Sequence, residues 1–172
     1  MTNTLEANLL EFDGKAISIL SEAIAAHHDS ADYLKQVIHF STDKRPYVAD
    51  GATWILKFEA ENGLRVGSDR LIPLIANLEA IKSWPAQLHL CQAVDAFEFT
   101  EKQAEQFYHW AASMHNHERP FNRAWSLHAQ VVLAAKFAKF RKSASLALVN
   151  SEADVAASVR ARVRNLKKLY QL

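Results

Sequence analysis

Three histidines lie close together near the middle of the chain. His109, His115 and His117 occupy a short stretch that ends at Glu118. A His-x-His pair beside a carboxylate is a ligand set that suits a transition metal. Residues two apart on a helix point in different directions, however, and histidines at a helix C-terminus also complement the negative end of its dipole. The pattern therefore favours helix-end histidines, and we predict no metal site.

The other reactive residue types form no complete catalytic motif. The chain has no Ser–His–Asp elbow, phosphate-binding glycine loop, Cys-x-x-Cys or His-Glu-x-x-His. Its one cysteine, Cys91, lies in a mostly apolar run from Leu88 to Val94. That setting favours a small core residue over a nucleophile, and a single cysteine fits a reducing compartment. The sequence therefore favours a non-enzymatic protein, with no catalytic residue and no cofactor predicted.

Charge is divided unevenly along the chain. Residues 1–118 hold 9 Lys and Arg against 17 Asp and Glu, whereas residues 119–172 hold 11 against 2. A basic end of this kind can bind phosphates, an acidic protein surface, or the acidic end of another copy of the chain. A solvated set of helix faces with no partner is the remaining interpretation. The asymmetry is the clearest functional indication in the sequence.

The overall composition indicates a helical protein outside the membrane. Only four glycines and four prolines occur in 172 residues, and β-rich chains need many more turn residues. No uninterrupted apolar stretch approaches the length of a membrane span. Residues 1–11 contain acidic but no basic side chains, which argues against a signal peptide. We therefore expect an all-α protein in the cytoplasm.

The periodicity of apolar residues predicts a series of helix pairs after one or two N-terminal helices at about 5–12 and 15–27. The first helices of the pairs are predicted at 30–41, 68–82, 100–116 and 144–149. The second helices begin at Pro46, Pro85, Pro120 and Asp154. Proline suits a first helical turn because its missing N–H would have no intrahelical partner there. These starting points recur every 34 to 39 residues, which is typical of stacked helix pairs.

Local signals predict where several of these helices begin and end. Ser30, Ser68 and Asp154 are predicted N-caps. Thr100 with Gln103 matches a capping box, and Asn62–Gly63 is a helix-ending pair. The last helix is predicted to bury an apolar stripe. Its members are Val155, Val159, Val163, Leu166 and Leu169.

The chain resembles the HEAT-like helical-repeat family in its proline-led second helices. A small residue stands six positions after each proline, namely Ala52, Cys91 and Ser126. The segment 158–166 is similar to the closing helix of such a repeat. The resemblance implies an α-α superhelix of about four helix pairs in a single domain, 1–172. Residues 1–29 would form an N-terminal helical cap and residues 30–172 the repeats, with the second helices lining a concave, ligand-binding side.

Helical wheels place a polar stripe on each second helix. We predict that one rung of equivalent positions lines the groove and grades from acidic to basic. The predicted binding residues are Asp50, His89, Arg123, Trp125, Arg160 and Arg164. Trp125 is included because an aromatic ring near Arg123 could stack on a nucleic acid base. The alternative is that these stripes are the ordinary solvent-facing sides of amphipathic helices.

These observations favour a scaffold that binds a protein with an acidic surface through its groove and basic C-terminal end. The first alternative is a nucleic-acid-binding protein, and a homo-oligomer is a further option. A third class follows from the resemblance, because some HEAT-like proteins are DNA glycosylases for alkylated bases. Such an enzyme needs a carboxylate and an aromatic-lined cleft among basic residues. Residues 119–172 offer only Glu152 and Asp154 for the carboxylate, and capping accounts for Asp154.

Overall fold

The computed structural model describes residues 4–170 and is helical over most of its length. Helix accounts for 75% and strand for 2%, which confirms the prediction of an all-α protein. The ten α-helices of the described residues are α1 (Leu5–Glu11), α2 (Ile17–His27), α3 (Tyr33–Phe40), α4 (Val48–Glu61), α5 (Ser68–Ala76), α6 (Trp84–Gln92), α7 (Glu101–Ala112), α8 (Pro120–Lys136), α9 (Arg141–Ser151) and α10 (Ala157–Tyr170). Each helix lies where the apolar periodicity predicts one, with small shifts at the ends.

Several predicted helix boundaries are confirmed in detail. Pro85 and Pro120 lie in the first turns of α6 and α8. The capping box at Thr100 is formed, because its hydroxyl accepts from the Gln103 N–H at 3.3 Å and the Gln103 amide oxygen accepts from the Thr100 N–H at 3.0 Å. Gly63 follows α4 with a φ of 99°, a left-handed conformation that glycine adopts without strain.

Three predicted caps are wrong. α3 begins at Tyr33, and Ser30 only accepts a backbone bond from the Tyr33 N–H at 3.0 Å. Ser68 is the first residue of α5 rather than its cap. α10 begins at Ala157, and the Asp154 carboxylate instead accepts from the Ala156 N–H at 2.8 Å in the turn before the helix. A short polar side chain stabilises turns as readily as helix starts, which explains these errors.

The chain forms two compact units, Met1–Glu98 and Phe99–Leu172. In the N-terminal unit α4 packs along α3 and α6, and α3 also contacts α5. α3 therefore lies beside α5, and α4 lies beside α6. Two short strands, β1 (Val66–Gly67) and β2 (Phe97–Glu98), pair in parallel on either side of the α5–α6 segment. These strands could not be predicted from the sequence, because two residues are too few for an alternating pattern.

Gly51 allows α1 and α2 to approach α4 closely. A Cβ placed on Gly51 would lie 3.0 Å from Leu9 Cδ2, 3.1 Å from Leu20 Cδ2 and 3.1 Å from Phe12 Cδ1. Leu9 and Leu20 are fully buried, so these atoms have little room to move. The lack of a side chain at Gly51 therefore lets α1 and α2 pack directly against α4.

In the C-terminal unit α8 is the central helix. It packs against α7, α9 and α10, and its contact with α10 is the most extensive. Eleven of its residues are buried. α10 turns Val159, Val163 and Leu166 inward, as the predicted stripe requires. Val155 is 92% exposed because it precedes the helix, and Leu169 is 70% exposed near its end.

Candidate functional site

The N-terminal unit brings together two predicted site residues, Asp50 on α4 and His89 on α6. Asp50 is only 9% exposed, and its carboxylate accepts a short hydrogen bond from the Ser83 hydroxyl. Thr53, one turn along α4, places its hydroxyl oxygen 3.2 Å from His89 Nδ1. The polar stripes of α4 and α6 thus meet each other across the helix contact. The side chains of Asp50 and His89 therefore make hydrogen bonds within the N-terminal unit.

His89 is held in its neutral form. The Thr53 hydroxyl donates to the Ala49 carbonyl at 2.7 Å, so its oxygen is left to accept from the Nδ1–H of His89. Burial is the main cause that lowers the pKa of His89 to about 4. The nearby Lys57 ammonium contributes to this lowering, and the hydrogen bond to the Asp50 carbonyl opposes it. At neutral pH the imidazole therefore adds no charge to the predicted rung.

A cleft of about 500 Å³ opens beside Asp50 and Ser83. Lys44 and Lys82 also line it, and both are exposed. Tyr47, at its edge, has a φ of 61°, the left-handed conformation that non-glycine residues rarely adopt. The cleft combines a buried carboxylate with two surface ammonium groups, so its charge is mixed.

The C-terminal unit brings Arg123 and Arg160 together around Asp154. Arg123 donates from Nε and Nη2 to the two carboxylate oxygens of Asp154, both at 2.9 Å. Its Nη1 also donates to the His117 carbonyl at 2.8 Å. Arg160 Nη1 donates to the carbonyls of Asp154 and Val155 at 2.6 and 2.9 Å. Both guanidinium groups therefore stabilise the turn that precedes α10.

Trp125 contacts Arg162, not Arg123. The Arg162 guanidinium carbon lies 3.8 Å from the centroid of the Trp125 ring, a close cation–π contact. The ring of His128 meets Trp125 edge to face at 4.9 Å. One face of the indole is therefore covered, which leaves less of it for the base stacking that the sequence suggested.

Arg162 is a residue that the sequence analysis did not single out. It is half-buried, and burial lowers its pKa. No described residue offers it a carboxylate. A signal was present, because Arg162 follows Trp125 by 37 residues, which falls within the repeat spacing. Because α8 packs against α10, the helical wheels of these two helices could have indicated the pair.

Arg164 lies in a basic cleft of about 270 Å³ on the surface of α10. The residues that line the basic cleft are Glu152, Arg160, Val163, Arg164 and Lys167. Lys167 forms a short ion pair with Glu152. Arg164 is exposed and has no carboxylate partner among residues 4–170. Of the predicted basic site residues, Arg164 is the one whose charge is directed to solvent.

The carboxylates that a base-removing enzyme would use are held in ion pairs. Glu152 pairs with Lys167, and Asp154 pairs with Arg123, which lowers the pKa of Asp154. Each lines a shallow cleft, and neither cleft includes a Phe, Trp or Tyr side chain. Of the clustered histidines, His117 accepts from the Arg119 N–H at 3.0 Å. Across residues 4–170 no three His, Cys, Asp or Glu side chains converge on a point that could hold a metal ion.

Comparison with known proteins assigns no family. No family model, curated protein or solved structure matches the chain. Within the described part of the chain, no helix has both the length and the apolar character that crossing a bilayer requires.

Proposed function

We propose that this chain is a non-enzymatic, HEAT-like helical-repeat scaffold whose basic C-terminal unit binds a protein with an acidic surface. The superhelical part of the proposal is supported inside each unit. α4 lies along α6 in one, and α8 lies along α10 in the other. Side-by-side packing of equivalent second helices is what stacked helix pairs produce. The proline-led starts of α6 and α8 agree with the same repeat.

The observation that carries the binding proposal is the excess of unneutralised cations in the C-terminal unit. This unit holds 12 Lys and Arg against 5 Asp and Glu, whereas the N-terminal unit holds 8 against 14. Its ion pairs engage Arg123, Lys139 and Lys167. Five exposed basic side chains of this unit have no carboxylate partner among the described residues. They are Lys102, Arg141, Lys142, Arg164 and Lys168.

A basic surface of this kind attracts and orients an acidic partner. Complementary charge raises the rate of association and excludes like-charged proteins. We propose that Arg164 and the Trp125–Arg162 pair face the partner, while Arg123 and Arg160 hold the surface in place through Asp154.

The test is affinity capture from the native cell, with and without nuclease, using wild type and an Arg164→Glu/Lys168→Glu variant. The matched control is Lys15→Glu/Lys35→Glu, which reverses two exposed lysines of the N-terminal unit. We expect a nuclease-resistant protein partner that the first variant loses and the control retains. Equal capture by both variants would refute the proposal.

The same experiment distinguishes the protein-scaffold proposal from the alternative of nucleic-acid binding. Cations that bind phosphates release counterions, so that binding falls steeply with salt. Capture that nuclease abolishes, together with steeply salt-dependent binding to duplex DNA, would replace the protein-scaffold proposal with a nucleic-acid-binding function.

A further inference from the structure

The Arg162 guanidinium contacts the Trp125 ring and has no counter-charge among the described residues. Arg162 is half-buried against the indole, with 3.8 Å between its guanidinium carbon and the ring centroid. None of the described residues gives it an ion pair or a hydrogen-bond acceptor. Removing a cation from water costs free energy that a cation–π contact offsets only in part. A partly buried guanidinium without a counter-charge can gain an ion pair from an anion outside the chain.

The geometry selects the kind of anion. The contact with the Trp125 ring restricts where the Arg162 guanidinium can lie, and a guanidinium carries its N–H donors in one plane. Two parallel N–H donors match the two oxygens of a carboxylate. Because Trp125 holds the group in place, little side-chain entropy remains to be lost on binding. The site is therefore preorganised for one planar, two-oxygen ligand.

The surroundings indicate that a protein supplies this ligand. Phe121 lies one turn before Trp125 on the same side of α8 and is 61% exposed. Leu169 lies two turns after Arg162 on the same side of α10 and is 70% exposed. Aromatic residues and arginine are enriched at the centres of protein interfaces. A sugar–phosphate backbone would leave such apolar side chains uncovered.

We propose that the Arg162 guanidinium, held against the Trp125 ring, binds an Asp or Glu side chain of an acidic protein segment whose apolar residues cover Phe121 and Leu169. This inference rests on the proposed function and specifies its central contact. The net charges of the two units agree with it, because the C-terminal unit is the basic one. Arg164 and Lys168 would surround this contact and contribute mainly to the rate of association.

Fluorescence anisotropy with three labelled probes tests the inference. The probes are a short peptide of alternating Glu and Leu, the same peptide with Gln in place of Glu, and a single-stranded oligonucleotide. We expect wild type to prefer the Glu peptide over both others. Arg162→Gln should weaken Glu-peptide binding about ten- to a hundredfold, the range for a hydrogen bond between charged groups. Arg162→Lys keeps the charge but not the fork, and should lose most of the same affinity.

Lys35→Gln is the matched control, since it removes one exposed charge from the N-terminal unit and should change affinity less than about threefold. A second measurement uses the unaltered protein, in which the Arg162 Nε–H resonance should shift with the Glu peptide and not with the Gln peptide. Equal affinities of Arg162→Gln and Lys35→Gln for the Glu peptide, with no shift of this resonance, would overturn the inference and leave the proposed function intact. Failure of wild type to bind the Glu peptide, or preference for the oligonucleotide, would overturn both.

Discussion

Arg123 and Asp154 form a two-pronged ion pair that joins the start of α8 to the turn before α10. Their side chains are 14% and 16% exposed, so water competes weakly for the contact. The Arg123 hydrogen bonds hold the pKa of Asp154 below its usual range. The same Arg123 bonds the carbonyl that ends the preceding segment, at His117. One side chain thus connects three parts of the C-terminal unit.

We expect Asp154→Asn to lower the free energy of unfolding by about 2 kcal/mol, since it leaves a largely buried guanidinium without its counter-charge. Urea unfolding at neutral pH measures this. Because Asp154 has a lowered pKa in the folded state, its contribution is present above about pH 4 and is lost as the pH falls further. Glu118→Gln removes a charge from an exposed side chain nearby and should change little. Equal stability of Asp154→Asn and wild type would contradict the structural role given to this pair.

This role decides how the predicted groove should be tested. The sequence analysis treated Arg123 and Arg160 as residues that face a partner. Reversing either charge would also break contacts to Asp154, so that lost binding could reflect a changed fold. Arg164 is exposed and forms no ion pair in the described structure, so its substitution reports on binding more directly.

The positions of the helices could be predicted because local rules determine them. Pro120 begins α8 and Asn62–Gly63 ends α4 through backbone preferences that depend on no distant residue. Cys91 is buried as its apolar neighbours predict. Each of these features can be identified within one or two turns of helix.

The partners of the charged side chains could not be predicted in the same way. Asp154 has the spacing of an N-cap, yet its carboxylate pairs with Arg123, which is 31 residues earlier. Trp125 is close to Arg123 in sequence, yet its ring contacts Arg162. Helical wheels assign residues to faces, whereas long side chains select among several neighbours on that face by fine geometry. The repeat spacing limits which side chains can be neighbours, but it does not determine which of them form a contact.

We expect Gly51→Val to lower the free energy of unfolding by about 3 kcal/mol, because the added methyl groups would overlap the buried ends of Leu9 and Leu20. Ala25→Val is the control, since it also places a valine in a helix but at an exposed position of α2, and it should cost about 0.5 kcal/mol. Thermal and urea unfolding measure both variants. Similar losses in the two variants would show that close helix approach at Gly51 is unimportant.

The buried carboxylate of Glu59 gives a further prediction. Glu59 is 8% exposed and accepts from the Tyr33 hydroxyl at 2.9 Å and from His28 Nδ1 at 3.0 Å. Burial and this carboxylate raise the pKa of Tyr33. Tyr33→Phe removes one donor from a buried charge and should cost about 2 kcal/mol in the free energy of unfolding.

Tyr108→Phe is the matched comparison for Tyr33→Phe. The Tyr108 hydroxyl lies 2.7 Å from the Ser143 hydroxyl, so the bond that is lost joins two neutral groups. We expect a cost of about 1 kcal/mol, smaller than at Tyr33. A larger loss at Tyr108 than at Tyr33 would mean that the Glu59 charge is satisfied by other means.

His89 should make stability depend on pH in a defined range. Its pKa of about 4 in the folded protein lies below the value near 6.5 expected in the unfolded chain. As the pH falls, the unfolded chain therefore takes up a proton first, and folding is weakened. The contribution of His89 is complete above about pH 6.5 and is lost as the pH falls to about 4, by up to about 3 kcal/mol.

His89→Asn removes this titration, so the difference in unfolding free energy between wild type and variant should shrink steadily from pH 7 to pH 4, a series of urea titrations being the measurement. Lys57→Gln tests the cause. Without the neighbouring ammonium group the pKa of His89 should rise, and the range of pH over which stability falls should become narrower. Histidine NMR titration of the folded protein measures that pKa directly. A His89 that titrates near 6.5 in wild type would show that its ring is open to water, and the contact between the polar stripes of α4 and α6 would then be looser than the 3.2 Å between Thr53 and His89 implies.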